Sequence, residues 1–377
     1  MKEHTRYLTN SLRLRSEESP NHNFHLDPML LVPLLCIVGI GLAVLYSAVH
    51  QDLSILENQS VKLLVGFVAM TLAAWLHPRV YLRFAPVLYA IGLILLVAVF
   101  LFGTTVKGSQ RWLDLPGLPR FQPSELMKVT VPLTVAWFLH DRPLPPRAIE
   151  VGIALVLAAI PAGLVVKQPD LGTGILIMAG GLAVVLLSGI RWRSIFLGAL
   201  ALVPFVPAYW YLFLNEYQKK RVFTFFDPES DPLGAGWSII QSTTALGSGG
   251  LLGKGLFEGT QSRLEFLPES HTDFIMAVIG EELGFMGVMT LIILYVLVLA
   301  RGMHIAVQAG DTFGRLAAGG LTLTFFVHVV LNIAVVSGLL PVTGAPLPLV
   351  SFGGTSAIAL LIGFGIVMSI HTHRGWR

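Results

Sequence analysis

The chain has 377 residues, of which 54% are hydrophobic and 12% are charged, and its formal net charge is +3. A water-soluble domain cannot bury so much apolar surface in one core, so the composition excludes a water-soluble protein. The small net charge and the scattering of basic residues at the ends of apolar segments argue against nucleic acid as a partner. The sequence therefore predicts an all-α polytopic protein surrounded by membrane lipids.

Apolar segments follow one another along the chain, and each approaches the length of about 20 residues that a helix needs to cross the hydrocarbon layer. We predict about ten transmembrane helices, because a segment surrounded by lipid must satisfy its own backbone groups. Residues 1–27 are polar and aperiodic and are predicted to be a flexible cytoplasmic tail, which leaves residues 28–377 as a single transmembrane domain. The predicted spans are residues 28–49, 61–76, 82–102, 124–139, 148–166, 171–188, 194–214, 274–300, 313–338 and 350–370.

Lysine and arginine residues mark every second connection between the predicted spans, and both ends of the chain. By the positive-inside rule these connections belong to the cytoplasm, so both termini are predicted to be cytoplasmic. The outer side then holds the segment between spans 3 and 4 and a long loop, residues 215–272, between spans 7 and 8. Long loops in compact domains are usually functional, which directs the search for a site to the outer face.

Charged residues at the outer ends of the spans are the first candidate site residues, because ionisable groups are costly there. Arg111 and Trp112 precede span 4, and Glu125 and Lys128 share a face of that span at i,i+3 spacing. The pair is either a structural ion pair, or Lys128 joins Arg111 and Trp112 around an anionic, partly apolar ligand. Asp170 opens span 6, either as a helix cap or as a group that binds a cation or an acceptor hydroxyl.

Asp273 stands where the outer loop enters span 8. Its position alone is equally consistent with a helix cap and with a functional carboxylate. Glu281 and Glu282 follow two turns later on different faces of the same helix. At least one of them must face protein, as a structural partner of another segment.

Two further patterns predict structure rather than chemistry. His328 and Asn332 share a face at i,i+4 spacing in span 9, which favours interhelical hydrogen bonding over catalysis. The glycine-rich run 247–255 lacks key residues of a phosphate-binding loop and has no preceding strand. Its glycines predict a bent loop on the outer surface.

Several motifs, in a fixed order, carry a resemblance to a known family. They are Gly108-Ser109-Gln110-Arg111-Trp112, Gln122-Pro123-Ser124-Glu125 with Lys128, the runs 168–174 and 266–274, Glu281-Glu282-Leu283-Gly284, and the run 346–354. Over residues 28–368 the chain resembles the SEDS family of bacterial cell-wall polymerases. The runs 259–262 and 340–344 make it most similar to the branch of that family that serves cell elongation and rod shape.

The resemblance implies a peptidoglycan glycosyltransferase that polymerises lipid II into β-1,4 glycan strands at the outer face of the bacterial cytoplasmic (inner) membrane. Asp273 would be the catalytic base, or would orient a divalent ion such as Mg²⁺ or Mn²⁺, although no set of metal ligands is assigned. Arg111 and Lys128 would face the leaving diphosphate. The supporting residues implied are Glu125, which would hold Lys128, Asp170 on the acceptor side, Trp112, His271 and Glu281.

The resemblance also implies partners, namely lipid II and the growing glycan strand, a class B penicillin-binding transpeptidase, and the elongation complex. The alternatives are a lipid II flippase, a division-type polymerase of the same family, and a catalytically silent scaffold. The candidate residues gather on the outer side and the cytoplasmic connections are short, which disfavours a flippase.

Overall fold

The computed structural model describes residues 25–106, 109–114, 120–190, 216–231, 234–263, 267 and 269–374, together with residues 198, 200, 203, 204, 207 and 211. Two predicted features lie largely outside these described residues. They are the cytoplasmic tail, residues 1–27, and span 7, residues 194–214. Every other predicted span corresponds to a helix, so the all-α polytopic fold is confirmed.

The membrane-spanning helices are long, apolar and packed into one bundle. Seven of them are long and apolar enough to cross a membrane by length and composition: α1 (Pro28–Ala48), α2 (Leu53–Trp75), α3 (Pro78–Phe102), α5 (Ala148–Lys167), α10 (Ile275–Gln308), α11 (Thr312–Val336) and α12 (Gly354–Thr372). Helices α4 (Pro123–Leu139) and α6 (Leu171–Leu187) have 17 residues each. The chain is therefore a multi-pass membrane protein.

Aspartates fix where several of these helices begin. Asp27, Asp52, Asp170 and Asp311 each precede a helix and accept a hydrogen bond from a backbone N–H of its first turn. A first-turn N–H has no partner inside the helix, and an aspartate side chain supplies one. The helix starts are therefore encoded locally in the sequence.

Close contact between helices depends on small residues. A Cβ added at Gly365 of α12 would lie 2.3 Å from the carbonyl oxygen of Met70 in α2, and one at Gly181 of α6 would lie 2.3 Å from Cβ of Ala158 in α5. Such approaches are how membrane helices gain packing energy without a hydrophobic driving force between them. Helix α4 is buried along nearly its whole length, whereas α2 and α3 expose broad apolar faces.

The connections on the predicted outer side contain more structure than the sequence predicted. An antiparallel hairpin, β1 (Thr104–Val106) and β2 (Ser109–Trp112), joins α3 to α4. The predicted loop 215–272 holds helices α7 (Glu216–Phe226), α8 (Ala235–Ser248) and α9 (Thr260–Arg263), with a 3-10 turn at Pro228–Ser230. Helix α2 begins at Leu53 rather than residue 61, since Gln59 is buried against protein and does not end the span.

Candidate functional site

Glu125 and Lys128 form a buried ion pair in the first turns of α4. The ammonium Nζ lies 2.6 Å from Oε2 of Glu125, and the two side chains are only 3% and 7% exposed. Lys128 also donates a hydrogen bond of 3.1 Å to Oγ of Ser356 in the first turn of α12. The structural ion pair is therefore present, and it also links α4 to the start of α12.

Arg111 on β2 is held at the entrance of α6 rather than left open beside Lys128. Its Nη1 lies 3.4 Å from Oδ2 of Asp170, its Nε donates to the carbonyl of Gln168 at 3.3 Å, and its Nη2 donates to the carbonyl of Pro169. Asp170 caps α6 by accepting from the backbone N–H of Thr173 at 3.1 Å. The predicted capping role of Asp170 is confirmed, and its pairing with Arg111 was not predicted.

Two neighbours of this pair lie close to the N-terminal end of α4. Gln122 donates from Nε2 to Oδ2 of Asp170 at 3.1 Å and to Oγ of Ser124 at 2.9 Å. Trp112 is the last residue of β2, pairs with Thr104 across the hairpin and is partly buried. The hydrogen bond from Gln122 to Asp170 was not predicted. An uncharged residue in a loop is not costly to place there, so nothing in the sequence marks it as a candidate.

Asp273 is half-buried in the turn that leads into α10. The N-cap residue of α10 is Phe274, which makes no capping hydrogen bond with its side chain, and Asp273 immediately precedes it. The backbone carbonyl of Asp273 accepts a 2.9 Å hydrogen bond from Nδ2 of Asn332 in α11, which also donates to the carbonyl of Ala345. Asn332 makes hydrogen bonds as predicted, but its acceptors lie in the segments before α10 and α12 rather than in helices, and the first of them fixes the backbone that carries the Asp273 carboxylate.

The Asp273 carboxylate faces a glycine, Gly344, which has no side chain. A Cβ added at Gly344 would lie 3.8 Å from Oδ2 of Asp273, and Gly344 has a φ of +74° that favours glycine. The segment before α12 therefore approaches Asp273 with bare backbone. A half-buried carboxylate with open space beside it can accept a proton from a bound hydroxyl.

Residues 351–356, which we call the α12 entrance, gather several elements. The N–H of Phe352 donates to the carbonyl of His271 at 2.9 Å, and the two rings lie 6.2 Å apart. From α2, Nε2 of Gln59 donates to the carbonyl of Ser351 at 3.3 Å, and Oε1 of Gln59 accepts from the N–H of Gly353 at 3.4 Å. The α12 entrance thus joins the segment before Asp273, helix α2 and, through Ser356, Lys128.

Glu281 and Glu282 both face protein. Glu281 is fully buried and its Oε1 lies 2.7 Å from Nζ of Lys254, 2.7 Å from the N–H of Thr260 and 3.0 Å from the N–H of Gln261. Glu282 accepts from Oγ of Ser47 in α1 at 2.6 Å. The predicted structural role is confirmed for both acids, and Glu281 holds the outer loop rather than a ligand.

The glycine-rich run bends as predicted, but it does not lie free on the outer surface. The N–H groups of Lys254 and Gly255 donate to the carbonyls of Glu281 and Glu282, each at 3.0 Å. The N–H groups of Phe285 and Met286 in turn donate to the carbonyls of Gly250 and Leu251. The loop therefore pairs with α10 at Gly284, where that helix kinks with φ +66° and ψ −164°.

The candidate site offers a metal ion fewer protein ligands than a preformed metal site does. Among the described stretches of the chain, no group of three or more His, Cys, Asp or Glu side chains is placed to hold a metal ion. Mg²⁺ is often held by one or two carboxylates together with substrate phosphates. Asp273 offers one such carboxylate, so the donor chemistry fits an ion that arrives with a phosphorylated substrate.

The chain is similar to known proteins over nearly its whole length. A family model described as cell cycle protein, comprising FtsW, RodA and SpoVE, matches residues 24–375. The peptidoglycan glycosyltransferase MrdB of Escherichia coli is 54% identical over 93% of this chain and 94% of that protein. FtsW of Trichlorobacter lovleyi, named as a probable peptidoglycan glycosyltransferase, is 38% identical over 91% of this chain and 92% of that protein.

Solved structures show the same fold. A chain from a peptidoglycan synthase complex, studied for how polymerisation and crosslinking are coordinated, matches with a TM-score of 0.81 and 34% identity, covering 93% of this chain and 99% of that chain. The rod shape determining protein RodA of Thermus thermophilus matches with a TM-score of 0.71 and 32% identity, covering 93% of this chain and 98% of that chain.

Proposed function

Since the chain belongs to the FtsW, RodA and SpoVE family of cell cycle proteins, we propose that it is a peptidoglycan glycosyltransferase that polymerises lipid II into β-1,4 glycan strands during cell elongation. The observation that carries this proposal is the similarity to E. coli MrdB over almost the full length of both chains. Identity to the FtsW relatives is lower, which favours the elongation role over division.

The reaction needs a base beside the acceptor. The 4-hydroxyl oxygen of the acceptor sugar attacks the anomeric carbon of the donor, the carbon–oxygen bond to the diphosphate breaks, and the configuration inverts from α to β. The proton of the hydroxyl passes to the Asp273 carboxylate, which Asn332 positions through the Asp273 backbone and beside which Gly344 leaves space. Asp273 is thus proposed as the catalytic residue.

Cations stabilise the departing diphosphate. Lys128, held by Glu125, lies at the α12 entrance and is proposed to face the diphosphate as negative charge develops on it. Arg111 is proposed to face the diphosphate as well, and Asp170, which pairs with Arg111, is proposed to support the acceptor side. Trp112, His271 and Glu281 are proposed as supporting residues, Glu281 by anchoring the outer loop.

A divalent ion remains part of the proposal. Mg²⁺ or Mn²⁺, bound by Asp273 and by diphosphate oxygens, would supply charge stabilisation and orient the substrate. If the ion is required, a chelator abolishes polymerisation and added Mg²⁺ or Mn²⁺ restores it. Full activity after chelation would leave Asp273 with the base role alone.

We also propose which side of the membrane the site faces and which protein the chain works with. The distribution of basic residues supports two cytoplasmic termini and a site that faces the cell exterior or periplasm of a bacterial cytoplasmic membrane. The similarity to a chain from a complex that coordinates polymerisation and crosslinking supports a class B penicillin-binding transpeptidase as partner within the elongation complex.

Purified protein and lipid II in detergent test the proposed function. The wild type is expected to make glycan strands, and Asp273→Asn is expected to make none while keeping the wild-type unfolding temperature. A matched control, Asp114→Asn, changes an exposed aspartate of the same face and should remain active. No glycan from the wild type would favour a flippase or a scaffold, because detergent leaves no second compartment for transport to reach.

A further inference from the structure

Lys62 is a cation inside a membrane-spanning helix that the reaction described above does not use. It lies in α2 one turn after Gln59, is half-buried, and its Nζ stands 4.7 Å from the centre of the Phe352 ring. Within the described parts of the chain it has no carboxylate at ion-pair distance. Ionisable residues within membrane spans are rare and costly, so a lysine kept there needs a purpose or a partner.

The surroundings of Lys62 are positive rather than negative. Its stem runs over the first residue of α12, since a Cβ added at Gly354 would lie 2.2 Å from Cδ of Lys62. The start of a helix carries the positive end of its dipole, and Gly353, the N-cap residue of α12, has no side chain with which to cap it. The second ammonium, that of Lys128, lies against the same first turn through Ser356, and Glu125 compensates only that one.

An aromatic ring holds this ammonium without neutralising it. Phe352 attracts the Lys62 ammonium through its ring face and places it beside residues that carry His271 and hence the approach to Asp273. A cation fixed in this way in a region of low dielectric constant is prepared for an anion that arrives from outside the protein. A lysine ammonium suits phosphate oxygens as a point charge.

We propose that Lys62 binds the diphosphate of a polyprenyl diphosphate, either within the lipid-linked donor or as the released product, from the α2 side of the α12 entrance. This inference deepens the proposed function and depends on it for the identity of the ligand. Lys62 then joins Lys128 in contacting the diphosphate at the first turn of α12.

Direct binding of farnesyl diphosphate to the purified protein in detergent tests the inference without any turnover. Lys62→Met is expected to weaken binding by about tenfold or more, because a hydrogen bond to a charged group is lost. Lys62→Arg, which keeps the charge, should retain most of the affinity. Lys167→Met removes an exposed lysine at the C-terminal end of α5 and should bind as the wild type does.

The outcomes separate this inference from the proposed function and from a structural role of Lys62. Wild-type affinity in Lys62→Met would overturn it, as would an equal loss of binding for dioleoylphosphatidylglycerol, which would assign Lys62 to anionic lipids in general. If Lys62→Met has a lowered unfolding temperature, Lys62→Gln serves as the folded neutral variant. Binding of farnesyl diphosphate by the wild type requires no turnover, so failure of the wild type to polymerise lipid II would refute only the glycosyltransferase proposal.

Discussion

The buried pair of Lys128 and Glu125 combines two roles that a single substitution cannot separate. Both side chains are almost fully buried, so removing either partner leaves an uncompensated charge in the protein interior. The same ammonium lies against the first turn of α12, where the diphosphate is proposed to bind. Loss of activity on changing Lys128 alone therefore does not show whether the charge or the fold was needed.

A double-mutant cycle separates the two roles. Lys128→Met and Glu125→Gln are each expected to lower the free energy of unfolding by about 3–5 kcal/mol, because each breaks a buried pair. The double variant removes both charges and should regain most of the wild-type unfolding temperature, yet remain unable to polymerise lipid II. Recovery of polymerisation together with stability would show that the pair is purely structural.

Site residues differ in how far the sequence alone could reveal them. The Glu125–Lys128 pair follows from i,i+3 spacing, and the cap formed by Asp170 follows from its place before a helix. The Arg111–Asp170 contact joins residues far apart in sequence, so local pattern could not supply it. Lys62 was not predicted as a site residue, because a single lysine in an apolar segment can simply mark the end of the span. Only the structure shows what surrounds it.

At the scale of elements, the kink in α10 and the loop that pairs with it form one unit. A kink frees backbone N–H and carbonyl groups, and lipid cannot satisfy them. Residues 250–255 supply the missing partners to residues 281–286, while the Glu281 side chain binds the following segment at Thr260 and Gln261. These contacts thereby fix the outer loop against α10, the helix that follows Asp273.

Gly284→Ala tests whether this unit is needed. The backbone at Gly284 has φ +66° and ψ −164°, and an added Cβ would lie 2.2 Å from the backbone nitrogen of Gly253. Such a conformation costs a non-glycine residue about 1–3 kcal/mol before any clash is counted. We expect a lower unfolding temperature and little or no polymerisation, measured in detergent on the purified variant.

The control for that substitution is Gly163→Ala in α5, where an added Cβ meets nothing within 4 Å. Alanine is preferred to glycine in a helix interior by roughly 0.5–1 kcal/mol, so this variant should be as stable as the wild type or slightly more. An unchanged unfolding temperature for Gly284→Ala would mean that α10 straightens without cost and that the loop does not depend on the kink.

Composition and the length of the apolar segments were enough to predict most of the architecture of the whole molecule. Every predicted span within the described residues is a helix, because lipid leaves the backbone few alternatives. The hairpin after α3 and the helices within residues 215–272 were missed, since they are shorter than the apolar length by which a span is recognised. The pairing of the loop with α10 depends on contacts between distant segments, which no local pattern encodes.

The orientation of the whole molecule decides whether the site faces lipid II on the outer side of the membrane. Glu229 is exposed in the connection assigned to the outside, and the side chain of Asp141 is 85% exposed in the connection assigned to the cytoplasm. Cys36 is the one cysteine in the sequence, so Cys36→Ala provides a background without thiols.

In this background we expect Glu229→Cys to react with a membrane-impermeant maleimide added to right-side-out vesicles, and Asp141→Cys to react only after the vesicles are opened. The reason is the distribution of arginine and lysine, which assigns the connection around Asp141 to the cytoplasm and the Glu229 segment to the exterior. Inverted vesicles supply the control, because the two variants should exchange their behaviour there. Labelling of Asp141→Cys in intact right-side-out vesicles would place the Asp273 turn on the cytoplasmic side, where it could not extend a strand outside the cell.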